Sequence, residues 1–325
     1  MELRPLGRSG LHVSRLALGT MTWGRDTDRH EARDQLLAFL EAGGTLVDTA
    51  DVYADGMSEE IIGTLIDEVG RDSVVLATKA VSRPTSPRRL DASRGYLLSA
   101  LDASLRRLGV DHIDLWQLHA WDARTPLDET LSALDTAVAS GKVRYVGVSN
   151  WSAWQTAKAA ALQAVRPGGA RLVSTQMEYS LLERGIEHEV VDAALDGGLG
   201  LLPWSPLGRG VLTGKYRRGT PADSRGASSH FAPFIAPYLG DDARRTVDAL
   251  CTAAEGLGVA PLEVALAWVR DRPGVVAPIV GARTAAQLRG ALTVEELTLP
   301  EEIVTALDEV SAPELRYPDP SRQSR

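Results

Sequence analysis

Eight short apolar runs, set apart mainly by stretches of helical periodicity, constrain this chain more than any other feature. They fall at 16–19, 45–47, 74–78, 113–118, 143–148, 172–175, 199–203 and 275–280. Short runs of this kind, bounded by Gly, Pro and polar residues, read as buried strands. Helical patterns lie between them, at 31–41, 58–69, 93–108, 126–139, 152–163, 187–195, 242–257 and 261–270. The 93–108 segment shows the pattern well, with Leu97, Leu98, Leu101, Leu105 and Leu108 on one side. Two short helices, from Thr284 and over 300–310, complete the set.

Strands alternating with helices build a parallel sheet, either open and doubly wound or closed as a (β/α)8 barrel. The doubly wound form needs a Gly-rich phosphate turn after an early strand, and no G-x-G-x-x-G occurs at one. GVLTGK at 210–215 imitates a phosphate loop, but it has one residue too few between its glycines, and Tyr216 stands where Ser or Thr is required. The expected fold is therefore an α/β (β/α)8 (TIM) barrel, with an N-terminal β-hairpin around Arg8-Ser9-Gly10 and extra C-terminal helices. It is read as one domain over all 325 residues, its tail after Pro313 loosely attached.

Such a barrel gathers the C-terminal ends of all its strands onto one face, where active sites are built. The residues at those ends are Asp48, Lys79, His119, Ser149-Asn150, Gln176 and Trp204. Tyr53 follows Asp48 by five residues, in a polar turn with Asp55-Gly56, and Ser58-Glu59-Glu60 is expected to open the next helix with cap chemistry. Each residue alone has a plain structural explanation: a hydrogen-bonded His, a solvated Lys, a packed Tyr. Polar and aromatic residues at so many successive strand ends point to a site. The rhythm breaks at 206–240, which is rich in Gly, Arg, Ser and Pro and lacks periodicity. A loop that long inside a compact domain is usually functional, and here it is expected to be a flap.

A net charge of −8 and the lack of a long basic run argue against a nucleic-acid partner. The single cysteine, Cys251, excludes an internal disulfide and a cysteine-based metal cluster, and no metal site is expected. It lies in an apolar helical stretch, as a buried structural thiol would. Met1 leads straight into ELRPLGRSG without an apolar leader segment, and nowhere do 18 uncharged apolar residues run together. A cytoplasmic protein with no membrane partner is expected, and monomer is the default oligomeric state.

The motifs DTADVY (48–53), ATK (77–79), LH (118–119), GVSN (147–150), QMEYSLLER (176–184), WSPLGRGVLTGKY (204–216) and VGARTAAQL (280–288) occur in order at sensible spacings. On these the chain resembles the aldo-keto reductases over nearly its full length. The resemblance implies a barrel that binds NADPH extended across its C-terminal face and reduces aldehydes and ketones to alcohols. It also implies a catalytic tetrad of Asp48, Tyr53, Lys79 and His119, complete in this sequence. Tyr53 would donate the proton that the reduced carbonyl oxygen needs; its phenol has a reference pKa of about 10, which a nearby Lys79 ammonium is expected to lower. Asp48 would pair with Lys79, and His119 would hydrogen-bond the substrate oxygen.

For the cofactor, the resemblance implies Thr20 and Met21 beside Asp48, and Ser149, Asn150 and Gln176 on the nicotinamide carboxamide. Trp204 would stack on the nicotinamide ring. Ser205, Pro206, Leu207 and Gly208, with Lys215 and Arg225, would meet the pyrophosphate, and Gly281, Arg283 and Gln287 the adenosine end. Arg283 suits a 2′-phosphate, which favours NADPH over NADH. The family often continues Gln-Leu-x-Glu-Asn here, whereas this chain has Gln287-Leu288-Arg289-Gly290-Ala291, so two polar adenine contacts are missing. That departure bears on cofactor affinity rather than identity. Ala54 also stands where Gly usually follows the tyrosine.

Two further readings accompany a general carbonyl reductase. One is a keto or enoyl sugar-nucleotide reductase of secondary metabolism. The other is a non-catalytic NADPH-binding sensor like the potassium-channel β subunits, against which the complete tetrad and the short stretch before Leu3 weigh. The substrate is expected to be a small carbonyl compound chosen by loops around 21–25, 121–124 and 217–238. Their Trp23, Trp121, Phe231, Phe234 and Tyr238 suggest an apolar-walled pocket, with packing of the loops as the alternative for some of them.

Overall fold

The structure, a computed structural model, describes residues 1–217, 219–222, 224–228 and 232–313, with Arg225 given by its backbone alone. Phe231 and the tail after Pro313 lie outside the described residues. The chain opens with an antiparallel hairpin of β1 (Leu3–Pro5) and β2 (His12–Ser14). Eight parallel strands follow: β3 (Ala17–Gly19), β4 (Leu46–Asp48), β5 (Val75–Ala80), β6 (Ile113–Leu118), β7 (Val143–Ser149), β8 (Leu172–Glu178), β9 (Gly200–Trp204) and β10 (Ile279–Gly281). They pair in chain order, and β10 returns to lie beside β3. A bridge between Leu201 and Val275 joins the remaining edge to the segment leading into β10, so the sheet closes into the expected barrel.

Helices α1 (Arg29–Glu41), α2 (Met57–Val69), α3 (Arg94–Leu108), α4 (Leu127–Ala139), α5 (Ala153–Val165) and α6 (Val190–Gly197) alternate with the strands. After β9 come the short α7 (Ala232–Ile235), then α8 (Asp241–Leu257) and α9 (Pro261–Arg270); α10 (Ala285–Leu292) and α11 (Glu301–Val310) follow β10. Side chains fix several starts. Asp28 accepts from the Glu31 N–H at 2.9 Å ahead of α1, and Thr284 accepts from the Gln287 N–H at 3.2 Å ahead of α10. Among the described residues no single helix is long and apolar enough to cross a membrane.

Three local expectations change. The run at 275–280 is not one strand: residues near Val275 pair with β9, and only Ile279–Gly281 joins β3. Pro278, which has no N–H to give a ladder, stands at the switch. Helix α2 begins at Met57 after Gly56, which has φ +96°, and Ser58 is not its cap. The Ser58 hydroxyl instead donates to the Thr20 carbonyl at 3.0 Å, tying the turn to the loop after β3. The 206–240 segment contains 3-10 turns at Gly208–Thr213, Arg225–Ala227 and Ala236–Tyr238 besides α7. Such tight turns are too short to build a periodic apolar face, which is why the pattern missed them.

The barrel interior is filled by Leu46, Ala77, Leu115 and Leu202, and from below by Leu6 and Val13 of the hairpin segment. Each fully buried Leu or Val among them contributes about 1.5–3 kcal/mol. This apolar plug carries the polar layer above it.

Candidate active site

Strand register places that layer. Asp48 is level with Ala77, so Lys79 lies two residues further along the same face, and it is level in turn with Gln117. Lys79 Nζ donates to Asp48 Oδ2 at 2.6 Å and to the Thr49 carbonyl at 2.7 Å, and lies 3.5 Å from the Tyr53 hydroxyl. Asp48 Oδ1 accepts from Gln176 Nε2 at 2.9 Å and Gln117 Nε2 at 3.5 Å. Lys79 is fully buried and sits within β5 rather than beyond its end. It stands behind Tyr53, while Asp48, Tyr53 and His119 reach the cleft wall.

Burial alone would lower the Lys79 pKa, but Asp48 and Tyr53 outweigh it and the net shift is upward. Lys79 is an ammonium. For Tyr53 the balance runs the other way from the expectation: burial raises the phenol more than Lys79 lowers it. The hydroxyl therefore holds its proton. His119 is pushed down to about 3, by burial first and Lys79 second, so its ring is neutral. Its buried Nδ1 has no partner among the described residues, and its ring meets Tyr53 edge-on with centroids 6.0 Å apart. Nearby, burial and then Glu59 push the Asp51 carboxyl up to about 7.

A cleft of about 670 Å³ opens over this layer. Near Tyr53 its walls include Thr20, Met21, Ser149, Asn150, Gln176 and Trp204. The Ser149 hydroxyl donates to the Gln176 carbonyl at 2.9 Å. Asn150 holds a left-handed backbone with φ +59°, and its Nδ2 donates to the His119 carbonyl at 3.0 Å. The Trp204 indole N–H donates to Asn150 Oδ1, also at 3.0 Å. The cleft continues past Ser205, Pro206, Leu207 and Lys215 to Gly281, Arg283 and Gln287. Gly208 is the exception: its α-carbon faces Leu182, and it is not part of the wall. The Arg225 side chain lies outside the described residues.

The backbone between β9 and Lys215 is curled, with Ser205, Gly208, Arg209 and Gly210 all at positive φ. A Cβ added at Gly210 would lie 3.4 Å from Lys215 Nζ, so the glycine leaves room for the ammonium. The Gly208 and Gly210 N–H groups are spent within these turns, on the Ser205 and Leu207 carbonyls at 2.8 and 2.9 Å. The Lys215 ammonium on this stretch of the cleft wall is the group that suits a nucleotide phosphate.

The aromatic residues divide. Phe234 lines the cleft. Trp23 does not: it is fully buried and donates its indole N–H to Gln35 Oε1 at 3.0 Å, packing its loop down. Trp121 meets Trp151 edge-on at 4.7 Å, and Tyr238 donates to Glu178 Oε1 at 3.0 Å. Sequence reasoning missed Gln117, behind Asp48, and Arg209 on the cleft wall. Its guanidinium forks onto Glu178 at 2.8 and 2.6 Å and lies 3.8 Å from the Phe234 ring centre, on the cleft wall. The flanking Gly208 and Gly210 were the available signal, since they mark a turn tight enough to redirect a side chain.

A closed barrel whose strands lift a buried carboxylate–ammonium pair and a protonated phenol into one cleft defines a class of barrel oxidoreductases. The sequence profile of the Aldo/keto reductase family matches residues 15–312, and the chain belongs to that family. It is 41% identical to an uncharacterized oxidoreductase, YrpG, of Bacillus subtilis, over 95% of this chain and 96% of that protein. A probable voltage-gated potassium channel subunit beta of Oryza sativa subsp. japonica is 38% identical, over 93% of this chain and 94% of its own. The versiconal hemiacetal acetate reductase of Aspergillus parasiticus is 31% identical, over 98% of this chain and 99% of its own. Family and relatives make the chain an oxidoreductase of the carbonyl-reducing kind, one that works with a nicotinamide nucleotide.

Proposed function

We propose that this chain is an NADPH-dependent reductase that converts an aldehyde or ketone to an alcohol, with Tyr53 as the proton donor. The observation that carries the reading is the protonated Tyr53 phenol on the cleft wall, 3.5 Å from an ammonium that is itself paired with Asp48. When bound, the reduced nicotinamide supplies a hydride to the carbonyl carbon. As the C=O π bond breaks, negative charge develops on oxygen, and Tyr53 transfers its proton there. Lys79 stabilises the phenolate that remains, and acid catalysis of this kind is worth roughly 10²–10⁴ in rate. The neutral His119 ring can offer an N–H to the same oxygen and turn the carbonyl toward the donor.

Trp204, Ser149, Asn150 and Gln176 would hold the nicotinamide end, and Ser205, Leu207 and Lys215 the pyrophosphate. Arg283 supports the choice of NADPH, because a planar guanidinium matches a 2′-phosphate. The test is NADPH oxidation followed by absorbance with aldehydes, ketones and dicarbonyls, comparing wild type with Tyr53→Phe and NADPH with NADH. Turnover that needs the Tyr53 hydroxyl and prefers NADPH supports the reading. A sensor role is the second reading, favoured by the relative named as a probable potassium channel subunit beta. Tight NADPH binding with no turnover on any carbonyl would support the sensor instead.

A further inference from the structure

Neighbouring strands set Lys79 level with Gln117, Gln117 with Gly147, and Gly147 with Ser174, as one ring around the barrel. Gln117 stands one layer above Leu115 of the apolar plug and is fully buried, away from the cleft wall. A buried amide must be matched at both of its ends. A carboxylate only accepts, so the amide turns its Nε2 toward Asp48 Oδ1, 3.5 Å away. Its oxygen accepts from the Ser174 hydroxyl at 3.1 Å. Gly147 leaves the space for this, because a Cβ there would collide with Ser174 Oγ.

A chain of contacts thus runs from Ser174 through Gln117, Asp48 and Lys79 to Tyr53. Asp48 Oδ1 has two donors of different standing. Gln176 reaches it from the cleft wall, where a ligand can compete for the amide, whereas Gln117 is sealed behind. The charges acting on Tyr53 are Lys79 from β5, Asp48 from β4 and Asp51 from its own turn; Lys79 favours the phenolate and both carboxylates oppose it. Asp51 in turn feels Glu59 of α2 and Arg107 of α3, and the adjoining His119 ring is neutral. An N–H donated to Asp48 offsets part of its negative charge, which leaves the Lys79 ammonium more of its pull on the phenol.

We propose that Gln117 is a positioning residue for the proton donor: fixed by Ser174 in the space left by Gly147, it holds Asp48 and so eases release of the Tyr53 proton. The inference rests on the reading of Tyr53 as the acid in carbonyl reduction, and the test keeps the two apart. Tyr53 is replaced by a fluorinated tyrosine, a stronger acid, and its ionisation is followed by absorbance without nucleotide. Gln117→Met, which keeps the shape and loses the donor, should move that titration up by about half a pH unit. Ser174→Ala should move it less in the same direction, and the double variant no further than Gln117→Met alone. With the natural Tyr53 and NADPH, Gln117→Met should lower kcat and kcat/KM together by about threefold.

A residue that only packed the barrel would lower the thermal midpoint and leave the titration in place. A titration that stays put or moves down in folded Gln117→Met overturns the inference, whatever the wild type turns over. Should Gln117→Met not fold, the same result in Ser174→Ala, which loses one oxygen only, overturns it. The upward shift without wild-type turnover on any carbonyl keeps the coupling of Gln117 to Tyr53 and defeats the reductase reading.

Discussion

Trp204 donates its indole N–H to the side-chain oxygen of Asn150 at 3.0 Å, a bond that joins the ends of β9 and β7 across β8. It fixes the plane of the indole ring, and the other half of the Asn150 amide is anchored on the His119 carbonyl. Asn is also among the few residues that tolerate its left-handed backbone.

Asn150→Ala therefore frees the ring and leaves its polar partners unmatched. The expected cost is about 1–2 kcal/mol, or about tenfold in NADPH affinity. The change should appear in Kd measured by tryptophan fluorescence, with turnover at saturating cofactor affected far less. A drop confined to turnover would show that Asn150 does not act through the nucleotide site.

The Asp48–Lys79 pair is a second test. Removing one partner of a buried ion pair typically costs 3–5 kcal/mol, roughly what Asp48→Asn or Lys79→Met should lose in urea unfolding. The double variant should recover part of that loss, because no unpaired charge remains. All three should lose activity, so a stable but inactive double variant would separate the structural from the chemical work of the pair.

His119 sets one pH window. Its folded pKa, about 3, lies below the unfolded value of about 6.5. The stability it contributes is therefore full above the unfolded value and is lost as pH falls toward 3. His119→Gln should flatten the fall in thermal midpoint over that range. In kcat/KM, no imidazole step is expected between neutral pH and the acid limit of folding; a step there that His119→Gln removes would contradict a neutral buried ring.

Asp51 works in the opposite direction. Its folded pKa, about 7, lies above the unfolded value of about 3.9. Its contribution is full below the unfolded value and is lost as pH rises toward 7. Asp51→Asn should thus melt higher than wild type at pH 8, where the wild-type carboxylate is ionised beside Glu59, and differ little near pH 4. An equal or lower midpoint at pH 8 would mean that water relieves the carboxylate.

The barrel and the positions of its mouth were legible because strand and helix periods alternate cleanly and each strand ends on a distinctive residue. Asp48, His119, Gln176 and Trp204 announce themselves in this way. What stayed hidden depends on burial and on distant partners. The phenol of Tyr53 is raised because the fold encloses it, and nothing in DTADVY reports that enclosure. Gln117 reads as one polar residue inside an apolar strand until the barrel closes and turns it toward Asp48. Arg209 meets Glu178 and Phe234, 31 and 25 residues away, through a turn without periodicity. Trp23 follows the second of the two readings open to a mouth-loop aromatic: it buries its own loop.

The hairpin at the bottom of the barrel has a consequence for traffic. Leu6 and Val13 stop the lower end with side chains, so the polar layer opens in one direction. Whatever reaches Tyr53 must enter and leave through the same mouth. A nucleotide seated along the wall from Trp204 to Arg283 would then lie beneath anything that binds later. Two molecules using a one-ended vessel form a queue, in which the first to arrive is the last to depart.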